Sequence, residues 1–314
     1  MIYPNNRYEF RTYRKKRART IFIFIGILVL IAIGFGLWQV KPQLKNLLLS
    51  EETEQKKTVQ ELWDEKKYQD VIAVCEQRLQ DNPLDSKSLI FAGFSYFYSS
   101  LSIGKEEKRQ AQIEKAIVYL RKALLKKNPP LAEQINYVLG KSYYHKGKYF
   151  VDLSIQFLEK AYESGYIAED IYEYLGLAYS KIEEYDKSIE YFKKAIDNSP
   201  SDLLYLTVGE LYYKKENAKQ AEEYLLRALN STTDKEVEKK SRLLLGEIYR
   251  EKEQYIKAEK QYKEILSFAS DSADAHFYLG EIYNKLGNNV KARAEWRNAL
   301  RINPDHYGAK LRLY

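Results

Sequence analysis

With one cysteine in 314 residues, Cys75, the chain cannot form an internal disulfide, so its fold must be held by packing. Cys75 also falls on an apolar helical stripe where a small buried hydrophobe belongs, which argues against a reactive thiol. Histidine is equally scarce. His145, His276 and His306 lie far apart, and none has a second histidine or a cysteine at metal-ligand spacing. No glycine-rich phosphate loop and no nucleophile elbow occurs. The many Glu and Lys pairs sit at helical spacing and read as solvated helix faces. The expectation is a protein that is not an enzyme and has no cofactor and no metal.

The charge balance excludes a second class. The formal net charge is +7, and the first nineteen residues supply +6 of it, through Arg7, Arg11, Arg14, Lys15, Lys16, Arg17 and Arg19 against Glu9. Everything after them is nearly balanced, so the basic pI is no sign of nucleic-acid binding. The basic tail precedes eighteen residues, Ile21 to Trp38, without a charged or strongly polar side chain. As a helix this run extends roughly 27 Å, enough to cross a bilayer core. A cleavable signal peptide has a shorter apolar region followed by small residues, whereas Trp38, Gln39, Val40, Lys41 and Pro42 follow here. The positive-inside rule then leaves residues 1–19 in the cytoplasm, makes 20–40 a transmembrane helix and 41–51 a linker, and carries residues 52–314 across the membrane. For a bacterial source that is the inner membrane with a periplasmic domain.

What is abundant is tyrosine, 29 in all, and much of it recurs in a pattern. A glycine followed three residues later by tyrosine appears at Gly93/Tyr96, Gly140/Tyr143, Gly176/Tyr179, Gly209/Tyr212, Gly246/Tyr249 and Gly280/Tyr283, at intervals of 47, 36, 33, 37 and 34 residues. Such a period belongs to stacked helical hairpins. From Ala273 to His306, Leu279, Gly280, Tyr283, Ala292, Trp296, Ala299 and Pro304 stand at unit positions 7, 8, 11, 20, 24, 27 and 32. The small residues at 8 and 20 let two helix axes approach to about 8–10 Å. Tyrosine at 11 and an aromatic at 24 fill the space beside the crossing, and proline at 32 ends the second helix.

This pattern resembles the tetratricopeptide repeat. The resemblance implies an all-α, right-handed solenoid of about seven hairpins, beginning near Glu52, Ser86, Glu133, Glu169, Asp202, Lys239 and Ala273, with His306–Tyr314 as a capping helix. Three units are longer than the plain repeat. About eleven extra residues fall within Tyr98–Gln110, two around Tyr149–Leu153 and three around Thr232–Glu238, and insertions of this kind are expected in loops.

In such arrays the working surface is the concave side, lined by first-helix positions 2, 5, 9 and 12. Those positions, with the stripe beside them, give a candidate partner groove of Ile90, Phe94, Phe97, Tyr137, Lys141, Tyr144, Glu210, Tyr213, Glu247 and Glu281. The stripe Ile90, Phe94, Phe97 and Leu101 makes its helix apolar on two sides, so it must be buried by the chain's own insertion or by a partner. The glutamates would orient a basic segment whose apolar anchors sit on the aromatics. Thr53, Lys56, Gln60, Lys87, Ile90, Phe94, Gln134, Tyr137, Lys141, Asp170, Glu173 and Leu177 do not reproduce the lysine and asparagine clamp by which some members grip a C-terminal carboxylate.

The reading is a single-pass membrane protein that presents a protein-binding array outside the cytoplasm to recruit or assemble envelope proteins. Its layout is similar to translocation accessory factors and to flagellar-motor collar components. Three alternatives stay open: a self-assembling scaffold, or homo-oligomer, closed through the second apolar stripe; a regulatory subunit of a membrane enzyme; and an organelle-surface receptor with a cytosolic array.

Overall fold

The computed structural model describes residues 57–314, so the basic tail, the apolar run 20–40 and the linker 41–51 lie outside the described residues. Among the described residues there is no strand, and no helix is long and apolar enough to cross a membrane. The described residues divide between two units, residues 57–66 falling in the first and residues 67–314 forming the second. The first contributes one described helix, α1 (Val59–Asp64), opened by a capping box in which Thr58 and Glu61 bond each other's backbone.

The second unit is an array of α2 (Tyr68–Asp81) and six hairpins closed by a short last helix. The hairpins are α3 (Ser86–Ser100) with α4 (Glu106–Ala123), α5 (Ala132–Lys146) with α6 (Val151–Glu163), and α7 (Ile171–Lys181) with α8 (Tyr185–Asn198). They continue as α9 (Asp202–Lys214) with α10 (Ala218–Ser231), α11 (Lys235–Glu251) with α12 (Tyr255–Phe268), and α13 (Ala273–Lys285) with α14 (Asn289–Ile302). The last helix is α15 (Tyr307–Leu313). Each helix packs on the next in sequence, and the pairs α3/α5, α5/α7 and α9/α11 also touch, which places first helices side by side.

The crossings are as tight as the small residues require. A Cβ added to Gly140 would lie 2.5 Å from Leu158 Cγ, and one on Gly280 would lie 2.6 Å from the indole Cδ1 of Trp296. Two units strengthen the crossing with a hydrogen bond. Ser154 Oγ donates to the Gly140 carbonyl at 2.8 Å and Ser188 Oγ to the Gly176 carbonyl at 2.7 Å, at the position where later units carry Ala221, Ala258 and Ala292.

The turn inside the hairpin follows from the same tyrosine. At unit position 15 the backbone is left-handed in Glu183, Glu216, Glu253 and Gly287, with φ of 62°, 58°, 57° and 76°. The next residue's N–H then returns to the carbonyl of the position-11 tyrosine: Glu184 to Tyr179, Asn217 to Tyr212, Gln254 to Tyr249 and Asn288 to Tyr283. This is a Schellman closure, and three of these four turns hold it without glycine.

The tyrosine rings and hydroxyls join one unit to another. Tyr179 stacks on Tyr191 of its own hairpin at 5.7 Å, while its hydroxyl donates to Glu159 of the preceding one. Tyr96 repeats this with Tyr119 and Glu76, and Tyr283 donates to Glu259 at 3.2 Å. Burial and the facing carboxylates push these hydroxyls above the ordinary phenol range, so they stay protonated donors.

The insertions do not behave as expected. The extra residues of the second unit are not a long loop: they lengthen α3 to Ser100 and let α4 begin at Glu106, leaving only residues 101–105 between them. The three extra residues near Thr232 likewise lengthen the start of α11, and only those near Tyr149 form a short 3-10 turn, Lys148–Phe150. A helix gains one hydrogen bond per added residue once nucleated, and the apolar stripe of α3 gains burial by continuing.

Candidate functional site

The first-helix positions divide into a closed aromatic half and a more open middle. Ile90, Phe94 and Phe97 are buried, Phe97 completely. Three residues of the second stripe are therefore covered by the chain itself, while Leu101, just past the end of α3, is exposed. Phe97 lies 6.0 Å from the ring of His145 on α5, and Gln110 at the start of the lengthened α4 donates to the His145 carbonyl at 3.0 Å. A partner or a second copy cannot use Ile90, Phe94 and Phe97 without opening the array.

Next to Phe97 the structure builds a cage around one cation. Lys141 is only 5% exposed; its ammonium contacts Asp170 at 2.7 Å and donates to the Tyr137 hydroxyl at 3.0 Å. The rings of Tyr174, Tyr137, Phe97 and Tyr98 surround it at 4.5, 4.9, 5.7 and 6.0 Å. The Tyr137 hydroxyl donates to the same Asp170. Burial first, then Asp170, raises the Tyr137 hydroxyl far above the phenol range, and the Tyr98 hydroxyl is pushed up to about 12, also mainly by burial. Aromatic faces and one carboxylate together offset the cost of holding this ammonium in so dry a site. The cage takes Phe97 and Tyr98 from the second unit, Tyr137 and Lys141 from the third, and Asp170 and Tyr174 from the fourth, so it ties three consecutive repeats.

His145 borders the cage, 3.0 Å from the Tyr174 hydroxyl. Burial, followed by Lys141, Lys181 and Arg109, lowers its pKa to about 4, so it is neutral near pH 7. Tyr144 is half-buried, packs edge-on to Tyr174 at 5.5 Å and carries the ammonium of Lys181 at 3.6 Å over its ring. Burial lowers the Lys181 pKa.

The glutamate positions prove to be ties as well. Glu247 accepts from Tyr278 of the next unit at 3.1 Å, and Glu281 holds Arg312 of the last helix through two bonds of 2.8 and 2.7 Å. Tyr213 donates to Glu251 at 2.8 Å. Glu210 differs. It is an exposed residue that makes no hydrogen bond among the described residues; partial desolvation of its carboxyl, opposed by Lys240 and Lys214, shifts its pKa upward. Beside it in the same groove positions lie half-buried Leu177 and Tyr213 and the exposed Leu203.

The residues the sequence reading missed are the partners one unit away. Asp170, Tyr174, Tyr278 and Arg312 each complete a position-9 residue of the preceding unit. The signal was the repeat register itself, since a charged position 9 at this spacing faces the start of the next first helix. Among the described residues no group of three or more His, Cys, Asp or Glu side chains is placed to hold a metal ion.

Comparison with known proteins places this geometry. Residues 171–253 match the fourth ARM domain of tetratricopeptide repeat protein 21, and residues 240–272 and 273–306 each match a tetratricopeptide repeat. These last two spans agree within a residue with the units beginning at Lys239 and Ala273. No curated protein matches the sequence. Among solved structures, the C-terminal part of a TPR repeat-containing protein from Cytophaga hutchinsonii is similar with a TM-score of 0.63 at 17% identity, covering 82% of this chain and 98% of that one. PilF of Pseudomonas aeruginosa reaches 0.50 at 15% identity, over 70% of this chain and 95% of its own, and MamA 0.50 at 22%, over 58% and 97%. At these identities the likeness is one of fold. The repeat matches lie on hairpins already described, so residues 240–306 are tetratricopeptide repeats and the array around them shares their fold.

Proposed function

We propose that this chain is a membrane-anchored scaffold whose repeat array holds other proteins outside the cytoplasm, with the middle of the array as the holding surface. Repeat arrays of this family generally bind proteins or peptides, and that much follows from the fold. The anchor rests on the uncharged run Ile21 to Trp38 and the basic tail before it. The position of the surface rests on one observation: the aromatic half of the groove is closed on its own lysine, whereas on α9 Glu210 and Leu203 are exposed and Tyr213 is half-buried, with Glu210 making no hydrogen bond among the described residues.

A partner segment carrying one Lys or Arg between apolar residues would satisfy that carboxylate and cover the apolar surface. Burying a large apolar side chain contributes about 1.5–3 kcal/mol, more than an exposed charge pair at under about 1. The apolar contacts would therefore set affinity and Glu210 the register. The test is a photocrosslinking residue at Tyr213 in native membranes, with and without Glu210→Lys. A defined heteromeric adduct that Glu210→Lys removes supports the reading. The same adduct pattern from Lys260, away from the groove, counts against it. The topology is tested separately by a reporter fused after Tyr314, which is active only outside the cytoplasm if the anchor is read correctly.

A further inference from the structure

The lengthened helix α4 departs from the other second helices on its exposed face. The residues that meet the crossing glycines, Leu120, Leu158, Phe192, Leu225 and Tyr262, fix the register between them. Two residues before these stand Val118 on α4 but Gln156, Glu190, Glu223 and Lys260 on α6, α8, α10 and α12. Five residues after them stand Leu125 but Glu163, Asp197, Asn230 and Ser267. Val118 is 45% exposed and Leu125 79%. The exchange also frees a cation. On α8 and α10, Lys194 bonds Glu190 at 2.8 Å and Arg227 bonds Glu223 at 2.7 Å, one turn back along the helix. Lys122, their counterpart on α4, has Val118 at that place and makes no ion pair among the described residues.

Two rows result, each at seven-residue spacing. Lys108, Lys115 and Lys122 form one, Ala111, Val118 and Leu125 form the other beside it, and all six are exposed. From Lys115 to Leu131 the chain has five basic residues and no acid. Lys115 is 3.8 Å from Glu76, and Arg121 donates to the Tyr143 hydroxyl at 3.1 Å, whereas Lys108, Lys126 and Lys127 are as unpaired as Lys122. The nearby acids are engaged: Glu114, on the far flank, holds Lys146 at 3.0 Å, and Asp85, which faces Lys126, accepts from the Ser88 N–H at 2.9 Å. The polarity of the helix does not require these cations, since α8, α10 and α12 end without a basic residue in the last turn. We propose that this face of α4 lies on an anionic lipid surface, with Val118 and Leu125 among the headgroups and the lysines on their phosphates. An acidic protein would suit the lysines alone, but single aliphatic side chains standing clear of a helix, flanked by flexible lysine stems, match the boundary between headgroups and acyl chains. The inference needs neither the Glu210 groove nor the anchor, although an anchor would hold the face near a bilayer.

The full chain can be labelled at a chosen site, because Cys75 is buried with its thiol pushed up to about 11 and stays silent at neutral pH. A fluorophore that brightens in apolar surroundings is placed at Val118→Cys or, at the same helical position on α12, at Lys260→Cys. The labelled chains are reconstituted in vesicles of phosphatidylcholine alone or in equal parts with phosphatidylglycerol. The expected result is several-fold greater brightening from position 118 than from 260 in the anionic vesicles, and much less of it in about 0.5 M than in about 0.05 M salt because the attraction is partly ionic. It should be lost when Lys108→Glu, Lys122→Glu and Lys126→Glu are combined in a chain that keeps its helical melt, and kept in Glu210→Lys. Equal brightening at the two positions, or in the two lipids, overturns the proposal. A probe silent in anionic vesicles overturns it as well, and a protein adduct from position 118 in native membranes would then assign the face to an acidic partner. Resistance of the chain to alkaline extraction reports on the anchor separately, so a failed anchor and a failed lipid contact are distinguishable.

Discussion

Removing Asp170 should damage the array more than removing Lys141, although the two form one ion pair. The Lys141 side chain is 6% exposed, while the Asp170 side chain is 36% exposed. Asp170→Ala leaves a buried cation with one hydroxyl and four ring faces, and losing the partner of a buried charge costs about 3–5 kcal/mol. The rings compensate part of this at about 0.5–2 kcal/mol, so the expected loss is about 3 kcal/mol. Lys141→Met keeps the packed stem and leaves a carboxylate that reaches water and still accepts from Tyr137, for a loss of about 1–2 kcal/mol. In the double variant no charge is left unpaired in the cage, so its stability should return close to that of Lys141→Met. For a chain of this size 1 kcal/mol corresponds to roughly 2–4 °C, so circular-dichroism melts of the full chain in mild detergent should separate the variants by several degrees. Equal or greater damage from Lys141→Met, or a double variant equal to the sum of the singles, would refute the reasoning.

Three further outcomes follow from single positions. His145 has a folded pKa of about 4 against 6.5 when unfolded, so the unfolded chain binds the extra proton between those values. Stability should therefore fall as pH drops from about 6.5 to about 4, and the difference between wild type and His145→Phe in pH-dependent melts should isolate that loss. Glu253→Gly should raise the melting temperature by the equivalent of about 0.5–1 kcal/mol, because the left-handed turn at φ 57° then carries no Cβ, and a decrease would contradict the turn assignment. Gly280→Ala should destabilise by about 1–3 kcal/mol, since the added Cβ meets the Trp296 ring at 2.6 Å and the Ala292 carbonyl at 3.1 Å, and a neutral melt would show that the crossing is looser than described.

The hairpins, their crossings and the last helix were legible because they depend on residues within one unit. Glycine at 8, a small residue at 20 and an aromatic at 24 must meet whatever else the chain does, and Gly280, Ala292 and Trp296 do so. The lengthened α3 and α4 were not legible as helix, since the choice between loop and helix there depends on what covers Phe94 and Phe97. The cage was hidden for a similar reason. A lysine at position 9 looks solvated until Asp170, 29 residues onward, and the ring of Tyr174 are placed beside it by the stacking of the next unit. Glu247 and Glu281 followed the same course, becoming ties between repeats when they had been expected to face a partner. The left-handed turns at Glu183, Glu216 and Glu253 carry no glycine to announce them.

The measurement that bears most directly on the central claim compares photocrosslinking from two groove positions, Tyr213 and Phe97, in native membranes. The account predicts one dominant heteromeric adduct from Tyr213, where the groove is accessible, and none from Phe97, which the chain itself buries. A partner adduct from Phe97 with nothing from Tyr213 would mean that the array opens at its aromatic half to bind, and would contradict the assignment of the middle repeats as the working surface.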